Sequence, residues 1–242
     1  MVAHATHGLR FFSLLLLHAR TAWCYVGQRR LTKALEQFQS SSSSSSSSDT
    51  TVQVEWKPFQ IDPGTAPEGE AYLDYNKRRW GSDGWTHHLR QEGKKDGALF
   101  AKWTTWPNTL KGHQFVQYAL EKHGIPTDKT NQILFHCMYE EGANISLTET
   151  LVNIAQKHFD NDSWNWDELR TFLNQNQGAA AVQEEIARGR RQYRISGVPF
   201  FVIGRGDDNT SGRPYGLSGA QSSSTLLGVL QDVAQEMEDD DV

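Results

Sequence analysis

The sequence predicts an α/β fold interrupted by a large helical insertion. Three observations carry that prediction. Apolar runs of strand length sit towards the two ends of the chain, at 11–17, 52–56, 200–203 and around Tyr215. The stretch between them, from 72 to 174, shows mostly helical spacing of its apolar residues. Helical stripes also follow the first strand (24–39) and the last (222–237). The order is therefore β-α-β, a helical middle, then β-β-α.

Residues 11–17 read Phe-Phe-Ser-Leu-Leu-Leu-Leu. A run of this length suits a fully buried central strand. With Arg10 before it, the same run also resembles the apolar region of a signal peptide with cleavage near Ala22. A third reading is that residues 1–22 come from a faulty gene model. From Cys24 to Gln39, Val26, Leu31, Ala34, Leu35 and Phe38 form a helical stripe, with Gly27 near its start. Residues 40–48 are an unbroken serine run with no means of burying apolar surface, so they are expected to form a flexible surface loop. Such a loop is tolerable because closure entropy grows slowly with length. Residues 52–56 alternate as a half-buried strand does. Pro58, Pro63 and Pro67 mark a loop.

In the helical middle, Phe115, Tyr118, Ala119 and Leu120 recur at helical spacing, as do Ile133, Leu134, Cys137 and Met138. A further helix over 147–159 is expected to open with the capping box Ser146-x-x-Glu149. Shorter helices follow at 167–173 and 182–188. Residues 200–203 form a strand bounded by Gly197 and Gly204, and 204–214 a loop. A strand at Tyr215 and a helix over 222–237 precede an acidic tail, 238–241.

Composition narrows the function classes. A net charge of -5 argues against a nucleic-acid partner, which calls for a basic face. No stretch reaches the roughly 20 apolar residues that span a bilayer. Two cysteines cannot build a disulfide scaffold. They fit a reducing compartment, so a cytoplasmic location is favoured, with organellar or secretory targeting left open by the signal-like segment. Eight Trp and eleven Phe supply large pieces for a core.

The most informative local features are Val198-Pro199 and the turn at Thr21-Ala22-Trp23-Cys24-Tyr25-Val26-Gly27. Only an X-Pro bond has an accessible cis form. Pro also lacks an N–H and belongs at a strand's first residue. Pro199 can turn the backbone and leave neighbouring groups free to pair with an extended substrate. An ordinary strand beginning with Pro has the same local pattern.

Taken with their order, these motifs resemble the DsbA-like thioredoxin family. Gly197-Val198-Pro199-Phe200-Phe201-Val202-Ile203 and Tyr215-Gly216-Leu217-Ser218-Gly219-Ala220-Gln221 resemble its C-terminal part. Trp23-Cys24-Tyr25-Val26-Gly27-Gln28-Arg29-Arg30-Leu31 is similar to the tail of the Cys-Pro-Trp-Cys-Tyr-Ile-Gly-Lys-Arg-Arg motif of the FrnE-like branch. Residues 54–63 look like that branch's second strand, and Asn108-Thr109 with His113 like its helical-insert motif. The family also includes the 2-hydroxychromene-2-carboxylate isomerases and kappa-class glutathione transferases. The resemblance implies a thioredoxin fold with an inserted helical subdomain. Its parts would be an uncertain 1–22, a first thioredoxin part 23–63, an insertion 64–190, a second thioredoxin part 191–237 and a tail 238–242.

The implied activity is thiol–disulfide exchange on protein or small-molecule thiols. In this family the first cysteine of Cys-x-x-Cys is the nucleophile, at a helix N-terminus that stabilises a thiolate. The second cysteine resolves the mixed disulfide. Here Cys24 takes the second slot, Thr21 the first, and Ala22 replaces the motif's Pro. A hydroxyl cannot enter a disulfide, so two-cysteine cycling at this site is impaired. The resemblance offers a second chemistry, because the serine-bearing relatives hold glutathione thiolate by a hydrogen bond from that slot. Thr21 would do the same, with glutathione as co-substrate. A third reading is an inactive binding module. The candidate site is thus Cys24 and Thr21 for catalysis, with Trp23, Val198 and Pro199 shaping the substrate groove. Pro199 would be the cis-proline.

Other features carry less. Cys137 falls on an apolar helical stripe and is expected to be packed and inert. The histidines, His87-His88 included, show no metal-ligand spacing, so no metal is expected. His113 is expected to pack between helices, the alternative being a place at the edge of the active site. Residues 75–79 with Trp80 and Trp85 read as a solvated helix face, or as the rim of a groove. Arg205-Gly206-Asp207 and three Asn-x-Ser/Thr sequons, at Asn144, Asn161 and Asn209, are short patterns that recur by chance.

Overall fold

The computed structural model describes residues 10–18, 21–42, 50–159, 163–205 and 214–239. Most of the serine run, two of the sequons and Gly206-Asp207 lie outside these residues.

The apolar run near the N-terminus forms β1 (Arg10–His18). It lies inside a four-stranded sheet, between β2 (Thr50–Pro58) and β5 (Phe200–Arg205). A strand without a polar face belongs in such an interior position. β2 runs parallel to β1, from Arg10↔Thr50 to His18↔Pro58. β5 runs antiparallel to β1 and pairs on its other side with β6 (Tyr215–Ser218). Between β1 and β2, α1 (Ala22–Ser42) crosses over. It packs against α9 (Ser223–Asp239) through buried Leu31, Ala34 and Phe38 on one helix and Leu226, Leu230 and Val233 on the other.

α1 runs further than the sequence suggests. Residues 40–42 are helical, not loop. Ser40 Oγ donates to the Glu36 carbonyl at 2.7 Å and Ser41 Oγ to that of Phe38 at 2.8 Å. Here the serine hydroxyls bond back to carbonyls of their own helix, which satisfies the polar side chains without leaving the helical conformation.

The insertion contains α2 (Tyr72–Trp80), α3 (Trp85–Lys95), α4 (Leu110–His123), α5 (Thr127–Tyr139), α6 (Thr148–His158), α7 (Trp166–Asn174) and α8 (Ala179–Tyr193). A small antiparallel pair, β3 (Glu70–Ala71) and β4 (Thr105–Trp106), joins its first part. The capping box does not form. Ser146 Oγ instead accepts the Asn108 N–H at 2.8 Å, and Glu149 pairs with Arg170 at 2.9 Å. Leu147 in extended conformation precedes α6, with no side-chain cap. His113 also serves a different contact from helix packing. Its Nε2 lies 3.0 Å from the Phe59 carbonyl and ties α4 to the loop after β2. The face at 75–79 is split: Tyr75 is fully buried and stacks on Trp106 at 4.0 Å, while Arg78 is exposed and pairs with Glu70.

Two contacts lock the insertion to the sheet. β2 is an edge strand, and the start of α5 covers it. The Trp56 N–H donates to Thr127 Oγ1 at 2.9 Å and its indole to Asp128 Oδ1 at 2.7 Å. Covering an edge in this way removes a template for unwanted strand pairing. The second lock is aromatic. Tyr25 of α1 stacks on Phe135 and Tyr139 of α5, at 5.7 and 5.4 Å, and meets Phe100 edge-on at 5.6 Å.

Candidate functional site

The site is built at the start of α1. The Thr21 carbonyl accepts the Tyr25 N–H at 3.1 Å, which makes Thr21 the residue that opens the helix. Helical spacing then brings Cys24 under Thr21. The Thr21 hydroxyl donates to Cys24 Sγ at 3.1 Å. Cys24 has 0% exposure and Thr21 9%, so the sulfur lies inside and the hydroxyl is the outermost polar group of the pair. Fully buried Tyr139 lies close to Cys24. Its phenol is held well above the usual tyrosine range, by burial first and by negative charge on Cys24 and Tyr25 second.

The Val198-Pro199 bond is cis. The Pro199 carbonyl accepts the Gly219 N–H at 2.8 Å, which joins the entry of β5 to the turn after β6. Gly27 lets α1 pass close to this loop. A Cβ there would lie 3.1 Å from Pro199 Cγ and 3.4 Å from Phe201 Cζ. The backbone N–H and C=O of Val198 have no partner among the described residues.

Trp23, Val198 and Pro199 come together along one cavity of about 480 Å³. Its other walls are Gly219, Ala220, Gln221 and three charged or titratable residues, Arg30, His88 and Glu92. Arg30 spans this floor: Nε meets Asp96 at 2.6 Å, Nη2 meets Glu92 at 3.3 Å, and Nη1 donates to the Ala220 carbonyl at 2.7 Å. Thr21 does not line this cavity. It opens on a second, much smaller one of about 20 Å³, with Asp62, Thr109, Trp103, Trp106 and Tyr139 among its walls. The two cavities share no lining residue.

Arg30, His88 and Glu92 had no assigned role in the sequence. Arg30 had a signal, since it belongs to the Trp23–Leu31 match. His88 and Glu92 have none in local sequence, because α3 reaches the cavity only through the tertiary fold.

Cys137 lies 1% exposed on α5. Burial first, and the charge of Glu141 second, push its thiol up to about 12. Both cysteines are free thiols. No helix among the described residues is long and apolar enough to cross a membrane.

The family model for the DSBA-like thioredoxin domain matches residues 20–231. The chain belongs to the DsbA-like thioredoxin family. Solved structures agree in fold. A probable DsbA oxidoreductase from Streptomyces coelicolor is 22% identical, with a TM-score of 0.65, over 94% of this chain and 90% of its own. A 2-hydroxychromene-2-carboxylate isomerase is 13% identical, with a TM-score of 0.64, over 94% and 98%. The cytosolic disulfide reductase DsbM from Pseudomonas aeruginosa, solved with GSH, is 15% identical, with a TM-score of 0.57, over 94% and 98%. No curated protein matches the chain.

Proposed function

We propose that this DsbA-like protein binds a small thiol of the glutathione class and uses Thr21, not a cysteine pair, to hold its sulfur. The observation that carries the reading is the arrangement at the helix start: Cys24 is fully buried and the hydroxyl of Thr21 sits over it at 3.1 Å. A buried sulfur is poorly placed to attack a protein disulfide. Neither cysteine is held in a disulfide, and a threonine cannot enter one.

In the bound state the Thr21 O–H turns from Cys24 to the incoming sulfur. A hydrogen bond to the charged form favours the thiolate. The N-terminus of α1 adds its positive dipole end. Held as a thiolate, the small thiol is a nucleophile toward an electrophilic substrate, which is isomerase or transferase chemistry. Relatives solved with GSH, or named as such an isomerase, support this reading.

The test is calorimetric titration with glutathione. Thr21→Val removes the hydroxyl at nearly constant volume. Loss of one hydrogen bond to a charged group, about 1.5 kcal/mol, corresponds to roughly tenfold weaker binding. No binding at millimolar glutathione, or equal binding by Thr21→Val, would sink the reading. A second reading, monothiol exchange through Cys24, draws on the dithiol-like stretch Trp23–Gly27. It requires exchange activity that disappears in Cys24→Ser.

A further inference from the structure

We infer that Cys137, Glu141 and His158 form a binding site for one zinc-class divalent cation. Cys137 and Glu141 are four residues apart and His158 lies 21 residues from Cys137, a spacing that matches no common metal motif. The fold brings their donor atoms together. Cys137 lies in the last turn of α5, Glu141 two residues beyond its end, and His158 closes α6. Cys137 Sγ and His158 Nε2 are 3.7 Å apart, and the three donor atoms all lie within 4.8 Å of one another. Tetrahedral zinc, with bonds of about 2.3 Å to sulfur and 2.0–2.2 Å to nitrogen and oxygen, sets its ligand atoms roughly 3.4–3.6 Å apart. The thiol and imidazole, 3.7 Å apart, stand just beyond that range. Glu141, whose carboxylate hydrogen-bonds Cys137, completes the three donors within 4.8 Å of one another.

The donor types select the ion. Thiolate and imidazole suit zinc and its neighbours, and magnesium or calcium prefer oxygen alone. The setting favours a cation, since α5 and α6 both bring their C-terminal, negative dipole ends to the site. The neighbouring cation is replaceable. Lys157 Nζ holds Glu141 at 2.8 and 3.0 Å and is 57% exposed, and an exposed ion pair of this kind contributes little. His136 Nε2 also stands 3.6 Å from Glu141. Three protein ligands leave the fourth position to solvent. On binding, the Cys137 S–H bond breaks, the sulfur bonds the ion, and one proton leaves to solvent.

The experiment titrates cobalt(II), a spectroscopic stand-in for zinc, into the full chain. The expected result is a thiolate-to-cobalt charge-transfer band that saturates at one equivalent and is displaced by zinc. The band persists in Cys24→Ser and vanishes in Cys137→Ser. His158→Gln, at a partly exposed helix end, weakens affinity by more than the roughly 10–100-fold that loss of a supporting partner costs. Circular dichroism checks that each variant is folded. The site is refuted by absence of the band in the native protein, by a band that follows Cys24, or by unchanged affinity in His158→Gln. This last variant decides the matter even if Cys137→Ser fails to fold.

Discussion

Glu140 offers a direct test of how the insertion supports the helix start. Its carboxylate accepts three consecutive backbone N–H groups, from Leu99 at 2.8 Å, Phe100 at 3.0 Å and Ala101 at 3.0 Å. The middle residue, Phe100, has a left-handed φ of 56°, which costs a non-glycine residue of order 1 kcal/mol and persists only where surroundings impose it. Taken at about 1.5–3 kcal/mol each, three bonds to a charged group sum to roughly 4.5–9 kcal/mol. That sum needs discounting, because Leu99 and Ala101 are exposed and water replaces the carboxylate at their N–H groups. The N–H of buried Phe100 stays without a partner. Glu140→Ala is therefore expected to lower stability by about 3 kcal/mol, most of it from Phe100. At roughly 2–4 °C per kcal/mol for a chain of this size, the melting temperature falls by about 6–12 °C. The Phe100 ring packs on Tyr25, so the loss also loosens the start of α1. Urea and thermal unfolding measure the effect. A loss below about 1 kcal/mol would refute the reasoning, since the nest would then hold its shape without its anion.

Two further outcomes are expected. Thr21→Cys restores a Cys-x-x-Cys turn at a position where the present oxygen is already 3.1 Å from Cys24 Sγ; oxidation should remove two of the three thiols from titration, and persistence of all three would show that residue 21 is not in the first slot. His123 stacks on Trp164 at 3.9 Å, with its Nε2 buried and without a hydrogen-bond partner among the described residues, and burial, outweighing the opposing charge of Glu168, holds its pKa below the usual value. The unfolded chain thus binds the proton more readily, and this contribution to stability, full above about pH 6.5, is lost as pH falls toward the depressed folded value. The melting temperature should fall more steeply between pH 7.5 and 5.5 in the native protein than in His123→Gln, and equal slopes would contradict that assignment.

Much of the fold was legible because its signals are local. Periodicity marks the strands β2 and β5 and the helices α1 and α9, and the family match needs only the order of short motifs. The errors also have local causes. The Ser146-x-x-Glu149 pattern satisfied the rule for a capping box, yet Asn108 from another segment took the serine hydroxyl. The serine run looked too polar for a helix, but its first members bond back to their own helix. His113 lay on a helix face and so suggested packing between helices, while its ring nitrogen was committed to a loop carbonyl.

The sequence by itself determined the α/β class, the place of the helical insertion, and the chemistry that residue 21 forbids, because a threonine has no sulfur to oxidise wherever it lies. Tertiary structure alone decided which groups meet. It buried Cys24 beneath Thr21, separated Thr21 from the Trp23–Pro199 cavity, added Arg30, His88 and Glu92 to that cavity, and placed His158 against Cys137. These encounters depend on how α3, α5 and α6 pack against the core, and packing joins residues whose separation along the chain carries no periodic signal.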